Sequence, residues 1–180
     1  MSTRSRFYPG GMQVGLFSNE RRKRGMKTFS IRKAEGHDLR AINRIIESAV
    51  MNWPTEKRLK KLAVGPLQYD EVDLAEYDVL VAEVRGEIVG VAVWDAEAAT
   101  LLPNGEGGLL HGLYVLPLFQ RQGVGRSLMD AVFALAAERN LPGLLIKAQR
   151  VARSYFEYQG LEIRAANEDE YPWQYWKRLS

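Results

Sequence analysis

Residues Leu109 to Arg139, LLHGLYVLPLFQRQGVGRSLMDAVFALAAER, impose a strand, a tight turn and a helix in that order. Leu109 to Val115 is an apolar run interrupted only by His111 and Gly112, which suits a buried strand. Gly112 marks a bulge or a close backbone approach. Pro117 lacks the N–H that a ladder needs and ends the strand. A polar turn follows, Gln120-Arg121-Gln122-Gly123-Val124-Gly125. Beyond it Val124, Leu128, Val132 and Leu135 form one stripe at helical spacing, and Arg126 and Asp130 stand four apart on the polar face.

The first N–H groups of a helix have no partner within it, and the aligned peptide dipoles leave them partly positive. Gly123 and Gly125 carry no side chain to shield those donors, so the turn suits a phosphate or a pyrophosphate. The same glycines also serve a plain strand-to-helix connection. Two other phosphate motifs are excluded. A P-loop needs Lys and then Ser/Thr after its last glycine, whereas Arg126-Ser127 follows here with different glycine spacing. A dinucleotide fingerprint needs a small third residue where Leu128 stands.

Composition narrows the classes further. With 180 residues, 46% of them hydrophobic, the chain has enough material for one ordinary core. The absence of Cys excludes disulfides, thiolate nucleophiles and zinc-finger sites, and two scattered histidines give no metal centre. No apolar run approaches the roughly eighteen residues of a membrane span, and a cytoplasmic location fits. Met1 to Lys27 carries seven Lys/Arg against Glu20 alone, +6 out of a total of +3, which leaves −3 for the remainder. The basic pI therefore belongs to the leader, and the body shows no basic face for nucleic acid. Residues 1–25, rich in Arg, Gly and Ser, are expected to be a flexible basic extension rather than a transit peptide. Residues 26–180 form the folded domain.

Within that domain Thr28 to Lys33 reads as a short strand. Asp38 reads as the N-cap of a helix with Leu39, Ile42, Ile45, Ile46 and Ala49 as its stripe. Trp53-Pro54 ends it, and Thr55 caps a second helix running to Gly65-Pro66. DVLVAEVRGEIVGVAVWD, from Asp78 to Asp95, is a hairpin turning at Arg85-Gly86-Glu87. A loop holds Ala96 to Gly108. After the central unit, Leu144 to Ala148 is a strand, Arg150 to Gln159 a helix stopped by Gly160, and Leu161 to Ala166 and Gln174 to Leu179 closing strands. The order β-α-α-β-β-β-α-β-α-β-β predicts an α/β domain of the α+β kind, a central mixed sheet with helices on both faces.

Gln-x-x-Gly-x-Gly between a strand and an amphipathic helix resembles the acyl-CoA-binding signature of the GNAT superfamily of N-acetyltransferases. The preceding Leu-Tyr-Val-Leu-Pro and the following Ser-Leu-Met match the same family. A second local match follows in Gln149, Ala152, Tyr155, Phe156, Glu157, Gly160 and Leu161, and the element order agrees from Thr28 to the C-terminus. The resemblance implies a GNAT-like acyl-CoA N-acyltransferase fold and direct transfer of an acetyl group from acetyl-CoA to an amine, without metal. It implies a pyrophosphate held by Gln120, Arg121, Gln122, Gly123, Val124, Gly125, Arg126 and Ser127. It sets the pantetheine arm against Leu113, Tyr114 and Val115, and adds Gln149 to the cofactor site.

A free amine of pKa about 10 is almost wholly protonated at pH 7, so the site must take a proton. His111, expected on one strand face with Leu113 and Val115, is the chosen base, with Glu106 second and a structural histidine as the plain reading. The family's usual tyrosine acid position holds Phe156. Tyr155, Tyr158 or no dedicated acid remain open, and Tyr155 is the one selected. Acceptor recognition is expected from Trp53, Tyr69, Trp94 and the Pro172-Trp173-Gln174-Tyr175-Trp176 segment. The acceptor is a small-molecule amine or a protein amine, and a homodimer is compatible. The competing class is a catalytically idle acyl-CoA-binding or sensory module.

Overall fold

The computed structural model describes residues 17–18, 28–98, 107–166 and 173–179. Its centre is the hairpin of β3 (Asp78–Val84) and β4 (Glu87–Asp95), joined by Arg85 and Gly86 at φ 52° and 81°. Two left-handed residues make the turn whose twist matches the flanking strands, and Gly86 takes that conformation without a Cβ penalty. The apolar residues of both strands then alternate between two covered faces, as a sheet buried on both sides requires.

On one face Ile42, Ile45, Ile46 and Val50 of α1 (Leu39–Met51) pack on Val79, Val81, Val91 and Val93. Residues of α2 (Lys57–Leu67) and α3 (Glu71–Glu76) extend that cluster. On the other face Val124, Leu128 and Val132 of α4 (Val124–Glu138) pack with Leu80, Ala92 and Trp94. Phe156 of α5 (Arg153–Tyr158) joins this second cluster.

The sheet runs β1-β2-β3-β4-β5-β6-β8-β7 among the described residues. Its outer members are β1 (Phe17–Ser18), β2 (Ser30–Lys33), β5 (Gly108–Val115), β6 (Gly143–Ala148), β7 (Glu162–Ala166) and β8 (Trp173–Arg178). Every pairing is antiparallel except β5 with β6. The mixed sheet with helices on both faces is the architecture expected from the element order.

Four local features differ from the sequence reading. Phe17–Ser18, inside the segment expected to be a flexible extension, pair with Ile31 and Ser30. The helix α3 was not expected, although Asp70 and Asp73 build its capping box: the Asp70 carboxylate accepts from the Val72 and Asp73 N–H groups. The helix α2 begins at Lys57 after Glu56, not at a Thr55 cap. Its position is set by Lys60, whose Nζ donates to the Met51 and Trp53 carbonyls at 3.0 and 3.1 Å.

Asp38 does not cap α1 with its side chain. Its buried carboxylate accepts from Arg32 Nη1 and Nη2 at 2.7 and 3.1 Å and from the Glu35 N–H at 2.8 Å, while Arg32 Nε donates to Glu83 at 3.0 Å. This pair ties β2 to the entry of α1. The Arg32 guanidinium holds the Asp38 carboxyl below its ordinary value, against the opposing effect of burial. A carboxylate shifted this way stabilises the fold above about pH 3.9, its ordinary value, and that contribution is lost as pH falls through the lower folded one. Asp38→Asn is expected to cost about 2–3 kcal/mol at pH 7, below the range for a fully buried pair because Arg32 keeps partial solvent contact. Urea unfolding at pH 7 and pH 3 checks this. The deficit should shrink at pH 3, and equal stability at pH 7 refutes the role.

Candidate active site

The strands β5 and β6 run together only from Gly108 to Leu110, opposite Leu144 to Ile146. Farther on, β6 stays with β8 through Lys147↔Gln174 and Ala148↔Trp173 while β5 stays with β4 as far as Val115↔Gly90. The two strands therefore part, and β5 keeps an edge without β6. The Leu116 N–H donates to Val89 across the β4 side at 2.9 Å. A trans peptide points its carbonyl the opposite way, so the Val115 oxygen faces the open side, where Gln120 Nε2 reaches it at 3.1 Å. Strand alternation turns the Leu113 backbone to the same side. Tyr114 turns its backbone to the β4 ladder, so of the three residues expected to pair with pantetheine, Leu113 and Val115 face the gap.

One irregularity in this strand repositions the chosen base. Val93 pairs with Gly112 but the next residue, Trp94, pairs with Leu110, so His111 is the extra residue of a bulge. A bulge shifts the alternation by one. Leu113 and Val115 consequently join the α4-side cluster, whereas the His111 ring lies against Tyr77, a member of the α1-side cluster, at 4.5 Å and 31°. The expectation that His111 shares a face with Leu113 and Val115 is thus corrected. Gly112 is needed beside it: a Cβ there would stand 2.7 Å from the Tyr114 ring and 2.8 Å from the Tyr69 hydroxyl.

Burial pushes the His111 pKa down from 6.5, Asp95 and Asp73 pull it up, and Lys147 pushes it down. The Nε2 atom is buried and has no hydrogen-bond partner among the described residues. Glu106, the second base candidate, lies outside the described residues.

The glycine turn has the form its sequence implies. Arg121 and Gly123 take left-handed backbone at φ 58° and 88°, and Gln122 Nε2 closes the turn on the Leu118 carbonyl at 2.7 Å. The Ser127 N–H makes the first bond of α4, to Gly123 at 2.9 Å, so the Val124, Gly125 and Arg126 amides precede any helical partner. The helix start is seated by Val124 and Leu128 against Gly90, where a Cβ would come within 3.0 Å of both side chains. Val124 is buried and has only its backbone to offer, while Arg121 is exposed and Arg126 meets Asp130 at 3.8 Å on the exposed face.

Tyr155 looks onto this turn. Its hydroxyl lies 3.2 Å from where a Cβ of Gly125 would stand, with Val115 at 3.5 Å from the same point. The hydroxyl is buried without a partner among the described residues, and burial pushes its pKa up to about 12. Phe156, about 100° round the helix, points instead into the core against Tyr175 at 5.6 Å. Tyr158 is 86% exposed and stands clear of the cleft.

Of the residues expected to meet the acceptor, Trp53 lines a groove with Thr55, Leu59, Lys60, Ala63 and the segment Gln149 to Val151. Gln149, expected in the cofactor site, lines that groove. Tyr69 stands beside Gly112 and Tyr77. Trp94 and Tyr175 are fully buried and Trp173 is covered by Arg153, so these three belong to packing. Pro172 lies outside the described residues. Tyr77, Asp95 and Lys147 were missed as surroundings of His111, because no local pattern announces contacts between separate strands.

His111 should titrate below 6.5 by NMR in the full chain, and Tyr77→Ala, by admitting water, should move its midpoint upward. A His111 midpoint at or above 6.5 in the unsubstituted protein contradicts the burial described.

Residues 75–162 match the acetyltransferase (GNAT) domain family. An uncharacterized N-acetyltransferase of Archaeoglobus fulgidus is 39% identical over 62 residues, 34% of this chain and 42% of that protein. The chain thus aligns with less than half the length of that curated relative. The PaiA N-acetyltransferase of Thermoplasma acidophilum, crystallised with coenzyme A, superposes with a TM-score of 0.69 at 12% identity, over 83% of this chain and 98% of that one. A GCN5-related N-acetyltransferase of Rhodopseudomonas palustris gives 0.66 at 20% identity, over 87% and 99%. The fold is that of the GNAT acetyltransferases, and residues 75–162 carry the sequence pattern of the acetyltransferase (GNAT) domain family.

Proposed function

We propose that this chain transfers an acetyl group from acetyl-CoA to a primary amine by direct attack. The observation that carries the reading is the open edge of β5 ending beside the unpaired first amides of α4. The Gly123 to Ser127 segment offers those amides to a pyrophosphate, and Leu113 and Val115 offer backbone groups to the amide-bearing arm. The relative crystallised with coenzyme A supports the same ligand. When bound, acetyl-CoA supplies an activated thioester carbonyl.

Around that carbonyl the chain's own groups divide the proton work. The amine nitrogen bonds to the carbonyl carbon, the carbon–sulfur bond breaks, and one proton passes from nitrogen to His111. A histidine with a lowered pKa is neutral at pH 7 and ready to accept it. Tyr155, with its pKa raised to about 12, keeps its proton at neutral pH and donates it to the leaving thiolate from the α4 side. His111 and Tyr155 belong to opposite faces of the sheet, so acceptor and cofactor approach the gap from different sides.

Acetyl-CoA turnover with a panel of amines tests the reading. Binding of CoA without any product supports instead an idle acyl-CoA-binding module, the reading Phe156 favours. Gly125→Val, which fills the space before the Tyr155 hydroxyl, is expected to weaken CoA binding at least about tenfold by calorimetry, a loss of about 1.4 kcal/mol. Unchanged affinity in the folded variant removes the turn from the site. For the base, kcat/KM should fall with acidification along a limb centred below 6.5, and His111→Ala should lose that limb along with roughly 10²–10⁴ in rate. An unmoved limb clears His111. Tyr155→Phe with full turnover clears the tyrosine.

A further inference from the structure

We propose that the groove between α2 and the Gln149 to Val151 segment takes a small amine that also carries a carboxylate. This rests on the acetyl-transfer reading and adds to it the charge class of the acceptor. The groove is open to solvent and holds about 250 Å³, below the roughly 300–1,000 Å³ of sites for drug-sized ligands. That size suits an amino acid or a close analogue. It is built partly by α2, which packs on the same sheet face as Tyr77, the ring against His111. It adjoins the end of β6 that has left β5.

Its charge is one-sided. The described lining holds Lys60 and Arg150 and no Asp or Glu. The helix α2, KRLKKLAVGPL, contributes Lys57, Arg58, Lys60 and Lys61 with no carboxylate. Lys60 is held by two backbone carbonyls, those of Met51 and Trp53, which fixes its charge at the end of α1. Arg150 is exposed and forms no ion pair among the described residues. Such a field repels a diamine or polyamine and attracts a carboxylate, which Arg150 can bind with paired N–H donors. A dipolar acceptor seated there turns its carboxylate toward Arg150 and its amine away from the guanidinium. The cations also lower the pKa of the bound amine, which raises the neutral, attacking fraction. Trp53 and Leu59 supply apolar contact for the acceptor's body.

The test uses the full chain with alanine, glutamate, their methyl esters and 1,5-diaminopentane. Acetylation of at least one free amino acid should exceed that of its ester and of the diamine by about tenfold or more in kcat/KM. Arg150→Gln should raise KM for the amino acid with kcat nearly kept and should leave the ester unaffected. High salt should erode the preference. Faster turnover of the diamine, or an amino-acid KM indifferent to Arg150→Gln, overturns the proposal. Binding is read separately by NMR at the Trp53 indole, assigned through Trp53→Phe. If no amine is acetylated, a Trp53 shift induced by the amino acid and abolished by Arg150→Gln upholds the binding site while acetyl transfer falls. Absence of that shift overturns the binding site itself.

Discussion

Backbone groups of a strand that has lost its neighbour must find other partners, and this requirement at β5 governs the cleft. A buried peptide group left unpaired costs on the order of 1–3 kcal/mol, so a native sheet rarely leaves several in a row. Here Gln120 takes the Val115 carbonyl and closes one end of the open edge. What lies between is a length of extended backbone facing a gap, with α4 starting at its end. Extended backbone of this kind is complementary to an amide-bearing chain laid alongside it.

The two covered faces of the sheet give the gap two different sides. Apolar packing on each is extensive, and the strands between are rigidly paired from β2 to β5. Against that background the side-chain polar atoms buried without partners among the described residues are conspicuous. They include His111 Nε2, on the ring packed against Tyr77, and the Tyr155 hydroxyl beside Gly125. Orphaned atoms placed like this are costly unless a ligand completes them, which connects local instability to chemistry. Both also have pKa values moved by burial, in the directions that keep His111 neutral and Tyr155 protonated.

Much of the site was legible because its determinants are local. The Gly123-Val124-Gly125 turn, the stripe of α4 and the Arg85-Gly86 hairpin each depend on residues within a few positions of one another. The bulge at His111 was not legible as a change of face. Gly112 announced an irregularity, but which residue becomes the extra one depends on the register against Val93 and Trp94. The aromatic assignments failed for a similar reason. Trp94 and Tyr175 look like recognition residues in a list of aromatics, yet their strand parity sends both into the α4-side core. Asp38 has the composition of a cap, but Arg32 on a neighbouring strand competes for its oxygens with a charged, two-pronged donor and wins.

By itself the amino-acid order determined the strand, turn and helix at the centre of the chain and the family they resemble, since helical periodicity and glycine torsions are properties of short segments. Only the tertiary structure decided that Tyr155 faces the start of α4 while Phe156 is packed away, and that His111 belongs to the opposite side. Those outcomes depend on sheet register and on how α5 docks, which are set by contacts between residues far apart in the chain.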